Sequence, residues 1–75
     1  MAEEKSLYKV IELIGTSPKG WEEAVEHVVN TASKTLSDLR IAEVKELDVK
    51  LDDKGKIAAY RAKVRLSFKY RDEKD

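Results

Sequence analysis

The stretch from Ile57 to Tyr70 constrains this chain more than any other. Ala58, Tyr60, Ala62, Val64, Leu66, Phe68 and Tyr70 share one parity, while Arg61, Lys63, Arg65, Ser67 and Lys69 fill the other. That alternation is the signature of one long, half-buried strand. At about 3.3 Å per residue it spans roughly 45 Å, whereas a compact chain of this length has a radius of gyration of only about 11 Å. The strand is therefore expected to overhang its own subunit. A continuous apolar face in that position needs cover, and further copies of the same chain are the obvious source.

With 75 residues, the chain is read as a single domain over residues 7–70, between a disordered start (1–6) and a charged tail (71–75). A domain of this size buries only about 60% of its unfolded surface, so the core of one subunit is marginal. No cysteine is present to staple it. That excludes disulfides and thiolate metal sites and, with no signal-peptide pattern, makes the cytoplasm the expected compartment. No apolar run is long enough to span a membrane. Lys plus Arg equals Asp plus Glu at 15 each, so no bulk charge draws the chain to nucleic acid or anionic lipid.

Leu7 to Ile14 predicts a first strand, apolar on both faces, whose second face is expected to meet a partner. Gly15-Thr16-Ser17-Pro18 predicts a turn, with Ser17 as helix N-cap and Pro18 as first helical residue. From there a helix is expected to about Ser37, because Trp21, Ala24, Val25, Val28, Val29, Ala32 and Leu36 recur at spacings of three and four. Leu39 to Leu51 predicts a second strand. Its apolar parity slips near Lys45-Glu46, where a bulge is expected. Asp52 to Lys56 forms a hairpin loop with Gly55 as its left-handed residue. The fold class is α+β, in the order strand, helix, strand, strand.

No Ser/His/Asp set, phosphate-binding loop or dinucleotide fingerprint occurs, and no enzyme is expected. His27 lies among glutamates on the polar helix face and reads as a solvated residue, because a single histidine without converging partners supports neither metal binding nor acid-base chemistry. Trp21 reads as packing in the core or at a subunit contact rather than as a ligand-stacking residue. Asp48, Asp52 and Asp53 offer hard oxygen donors around the hairpin, but they lack the alternating pattern of a calcium loop. Convergence of several copies could still assemble a site from them. Arg61, Lys63, Arg65 and Lys69 form a basic stripe. Its use as a nucleic-acid or protein adaptor (residues 61–69) competes with pairing to Glu43, Glu46 and Asp48 on the neighbouring strand, and the pairing is preferred because the aromatics lie on the opposite parity.

The segments Tyr8 to Ser17, Ile41-Ala42-Glu43-Val44 and Tyr60 to Phe68, in this order and spacing, resemble the dodecin family. The resemblance implies a three-stranded antiparallel sheet wrapped around one helix, and twelve copies forming a hollow homododecamer. It also implies a non-enzymatic storage or sequestration role, with riboflavin or FMN held between subunits and, in some members, coenzyme A. Ile41 and Arg61 stand at the positions where flavin-binding members carry a stacking tryptophan and a hydrogen-bonding glutamine. Isoleucine has no stacking face and arginine has no acceptor. Weak or absent flavin binding is therefore expected, with calcium or coenzyme A as the alternative ligand. The Ser-Pro after Gly-Thr, the tryptophan at the helix start and the missing stacking tryptophan are most similar to the branch described as calcium dodecins.

Overall fold

The computed structural model describes residues 5–70; the sequence expectations for 1–4 and for the tail 71–75 fall outside these described residues. The elements are β1 (Tyr8–Ser17), α1 (Trp21–Ala32), β2 (Leu39–Leu51) and β3 (Ile57–Lys69). All strands are antiparallel in one sheet of order β1-β3-β2, so the long strand is central. The subunit is elongated, with extents of 56 × 24 × 16 Å and a radius of gyration of 15.8 Å. The expected overhang is thus present.

One sheet face packs on α1, and the register shows how the sequence keeps that face apolar. Ile11, Leu13 and Gly15 of β1 pair with Leu66, Val64 and Ala62 of β3. On the other side Ala42, Val44, Leu47 and Val49 of β2 pair with Leu66, Val64, Ala62 and Tyr60. The extra residue Lys45 between Val44 and Glu46 is what lets Val44 and Leu47 share a face despite their odd spacing, as the parity slip predicts. A second shift places Arg40 between Leu39 and Ile41, and a third, carried by β3, keeps Leu51 opposite Ile57. The subunit core is Ala24, Val28 and Ala32 of α1 against Ala62, Val64 and Leu66 of β3. Val25, Val29 and Leu36 pack half-buried around it.

Three boundaries differ from the sequence expectation. β1 does not turn at Gly15 but continues through Ser17, because Gly15, Thr16 and Ser17 remain in the ladder opposite Ala62, Arg61 and Tyr60. Gly15 serves close approach instead: a Cβ there would lie 2.4 Å from Val28 Cγ2 and 2.6 Å from the Ala24 carbonyl oxygen. The helix consequently begins at Trp21 with Gly20 as N-cap, and Pro18 lies ahead of it. Ser17 is buried and acts one turn earlier: its Oγ accepts from the Lys19 and Gly20 amides and donates to Glu23 Oε1.

The helix also ends at Ala32, well before Ser37. Beyond it the Lys34 and Thr35 amides donate to the carbonyls three residues back, while the Ser33 and Thr35 hydroxyls donate to the Asn30 and Ala32 carbonyls. Hydroxyls that compete for helix carbonyls loosen the last turn. Lys34 therefore lies outside the helix and contributes nothing to its last turn. The hairpin matches expectation: Gly55 has φ of 79°, and Asp52 Oδ1 accepts from the Lys54 and Lys56 amides at 2.9 Å each.

Candidate functional site

The face of the sheet away from α1 carries the ion-paired residues, beside exposed Val10, Ile14 and Ile41. Arg61, Lys63 and Arg65 run down the central strand, and carboxylates flank them on both neighbours. Arg61 makes a two-pronged contact to Asp48, Nε to Oδ1 at 2.7 Å and Nη2 to Oδ2 at 3.0 Å. Lys63 Nζ lies 3.5 Å from Glu46 Oε1. Arg65 turns the other way, to Glu12 Oε2 on β1 at 3.0 Å, which the sequence expectation missed; its cross-strand neighbour Glu43 is taken by Lys45 at 3.7 Å. The stripe is a network of exposed ion pairs. An adaptor would need those cations free for phosphate, and three of the four already hold carboxylates.

Arg61 holds the Asp48 carboxyl below its ordinary range, chiefly through the hydrogen-bonded contact and then through charge, with Lys63 adding to it. Reciprocally, Asp48 raises the Arg61 guanidinium. Ile41, the other family flavin position, is 56% exposed and lies opposite Ser67. Arg61 stands six residues further along β3, about 20 Å away at strand spacing. One chain does not bring the two together, so any site using both draws them from different copies.

The three aspartates are likewise separate. Asp48 is engaged by Arg61, Asp52 holds the hairpin backbone, and Asp53 is exposed at the tip. Among the described residues no group of three or more His, Cys, Asp or Glu side chains converges. His27 is exposed beside Thr16, Glu23 and Asn30, lining a polar cleft of about 420 Å³.

Trp21 has a role that the helical stripe alone did not reveal. Its Nε1 donates to the Asp48 carbonyl at 3.0 Å, and its ring meets Tyr60 edge-on with centroids 5.1 Å apart. This pins the start of α1 to β2 and β3 toward their hairpin end. Between α1 and β2 it leaves an open groove of about 370 Å³ with an apolar floor of Trp21, Val25, Val44 and Leu47. The groove exists because α1 covers β1 and β3 and barely reaches β2. Its only sequence signal was the paired apolar parity of Val44 and Leu47 around the bulge.

The sequence model of the dodecin family matches residues 7–71. The chain belongs to the dodecin family. Among relatives, a calcium dodecin from Mycobacterium tuberculosis is 48% identical over 66 residues, which cover 88% of this chain and 92% of the relative. A dodecin structure from Streptomyces coelicolor superposes with a TM-score of 0.85 at 33% identity, covering 93% of this dodecin and 99% of that chain. The M. tuberculosis calcium dodecin structure, described as calcium-chelating with a novel calcium-binding site, gives a TM-score of 0.78 at 46% identity, over 93% and 99% of the two chains. The strand, helix, strand, strand subunit is thus the dodecin one. No helix among the described residues is long and apolar enough to cross a membrane.

Proposed function

We propose that this dodecin is the subunit of a closed homododecamer that binds or sequesters a small ligand in the cytoplasm without catalysis, with calcium as the ligand and flavin bound weakly or not at all. The observation that carries this reading is the state of Arg61. At the position from which family members bind the flavin edge stands a cation whose fork is already closed on Asp48. Ile41 supplies no aromatic platform. Losing one stacking platform removes about 0.5–1.5 kcal/mol, and losing an ordinary hydrogen bond removes about 1 kcal/mol. Two platforms and one hydrogen bond come to about 2–4 kcal/mol, or roughly one and a half to three decades of affinity. The residues present do not fit a stacked flavin.

Calcium draws its support from the 48%-identical calcium dodecin and from the carboxylates of the outer face. Because the acids among the described residues of one chain do not converge, the donors would come from more than one copy. Asp53 is the freest of the three hairpin aspartates, and Asp48 contributes only if Arg61 releases it. Coenzyme A is the alternative ligand class.

Calorimetric titration of the chelator-stripped assembly with calcium tests the reading, with riboflavin, FMN and coenzyme A titrated in parallel. Calcium binding with flavin weaker than micromolar is expected. Submicromolar flavin binding would overturn the flavin assignment, and absence of calcium binding would overturn the metal assignment. Ile41→Trp combined with Arg61→Gln is expected to strengthen flavin binding.

A further inference from the structure

The carboxylates paired on the outer face of the sheet are not held alike. Arg65 brings two nitrogens to a single oxygen of Glu12, at 3.4 and 3.0 Å. Glu46 and Glu43 meet lysines at 3.5 and 3.7 Å, longer than a charge-assisted hydrogen bond. Among the described acids of this face, Asp48 alone accepts hydrogen bonds on both oxygens, in parallel from Nε and Nη2 of Arg61. An arginine takes a phosphate or carboxylate ligand in the same two-pronged way. Asp48 therefore stands where the oxygens of such a ligand would stand. Its backbone is fixed as well, because its carbonyl accepts from Trp21 Nε1 at 3.0 Å and the residue lies opposite Arg61 in the ladder.

We propose that Asp48 is a specificity-determining residue: it serves as an internal ligand of Arg61 and closes that position to oxyanions. The inference rests on the functional reading above and decides among its ligand classes, since coenzyme A and FMN carry phosphate whereas calcium does not. The closed pair has no net charge to attract an anion. A phosphate would have to displace a carboxylate that the neighbouring strand holds in place, and a tethered competitor acts at high effective concentration. Arg61 does not open the pair by losing its proton, because a guanidinium stays charged. Replacing Asp48 by its amide keeps the shape of the side chain, removes the charge, and leaves the Arg61 fork positioned by β3.

Titration of the assembled protein at low ionic strength tests this, with pyrophosphate as the free oxyanion and FMN against riboflavin as the ester-borne one. Asp48→Asn is expected to tighten pyrophosphate about three- to fivefold, the most that an exposed ion pair withholds. A parallel rise in the ratio of FMN to riboflavin affinity shows that a phosphate ester is excluded too, and a gain for pyrophosphate alone assigns the exclusion to free oxyanions. Asp48→Glu keeps the charge and is expected to show no gain. Adding Arg61→Gln to Asp48→Asn is expected to remove the gain. Glu12→Gln makes the same charge change beside Arg65 and is expected to have a smaller effect. Arg61 and Asp48 are 42% and 49% exposed, so the variants are expected to fold, and Asp48→Ala serves the same test should the amide disturb assembly. No gain on removing the Asp48 charge, a gain that survives Arg61→Gln, or an equal gain in Glu12→Gln overturns the proposal. Submicromolar riboflavin binding by the wild type overturns the flavin reading and leaves this comparison standing, because it is read between variants.

Discussion

Val44 and Val64 face each other across one rung of the sheet, on the same side, yet Val64 is fully buried and Val44 is 45% exposed. The residue type and the sheet face are the same. The difference is the position of α1. A 12-residue helix is about 18 Å long and cannot roof a strand of roughly 43 Å or all three strands abreast. Gly15 decides which part is roofed, because its missing Cβ lets α1 settle toward β1. The strand left bare is then β2, which in the assembly proposed above is the part of the core left for other copies to supply.

The sharpest way to break this contrast is to place the same charge on both sides of the rung. Val64→Asp buries an unpaired carboxylate at a cost of several kcal/mol, comparable with the roughly 4–11 kcal/mol total stability of a chain this long. It is expected to abolish folding, seen as loss of the far-ultraviolet dichroism. Val44→Asp is expected to leave a folded subunit that sediments as a monomer. Equivalent behaviour of the two variants would refute the division. Leu66→Asp belongs with Val64→Asp, since Leu66 is 1% exposed in its own subunit. The subunit's own helix covers the centre of the β3 apolar face, so the partial shielding expected from neighbours concerns the ends of that face.

Gly15→Ala addresses the cause of the asymmetry. The added methyl would overlap Val28 and the Ala24 carbonyl, so α1 must lift from β1. A loss of about 1–3 kcal/mol is expected, as for other overpacked sites, read as a lower urea midpoint. A neutral result would mean that α1 is not held against β1 by this contact.

Local periodicity makes most of this fold legible in the sequence. The alternation of β3, the parity slip at Lys45 and the Asp52 to Lys56 turn are each set by residues adjacent in sequence. Apart from the early end of α1, where the Ser33 and Thr35 hydroxyls bond to carbonyls three residues back, the missed features depend on contacts between distant elements. Gly-Thr-Ser-Pro carries turn chemistry locally, but pairing with Ala62, Arg61 and Tyr60 keeps it in the sheet. The partner of Arg65 depends on the register of β1, whose Glu12 stands opposite it as Glu43 does on β2. The Asp48–Arg61 pair could be anticipated because a hairpin fixes that register. The groove could not, since it depends on how far α1 leans.

A smaller effect is expected at the start of α1. Ser17→Ala removes the acceptor for the Lys19 and Gly20 amides and the partner of Glu23. A loss of about 1 kcal/mol is expected, as for an ordinary hydrogen bond or cap. Because Trp21 is anchored separately to the Asp48 carbonyl, its fluorescence maximum is expected to stay unchanged. A red shift would show that Ser17, rather than Trp21, holds the helix over its half of the sheet.

The smallest effect lies on the outer face, where ion pairing replaces packing. Arg61 lowers the Asp48 carboxyl below its ordinary value, and a group whose folded pKa is depressed stabilises the fold above its unfolded pKa. That contribution is whole above about pH 5, declines as pH falls through the ordinary carboxylate range near 3.9, and is gone once the pH is below the depressed value. Arg61 stays charged throughout, so the protonation of Asp48 alone sets the window. The urea midpoint of the wild type is therefore expected to exceed that of Asp48→Asn at pH 7, with the gap closing on acidification. High salt should narrow the gap at pH 7, because both partners are exposed and screened. A gap that persists unchanged into strong acid would mean that the difference arises from the side-chain amide itself and not from the ion pair.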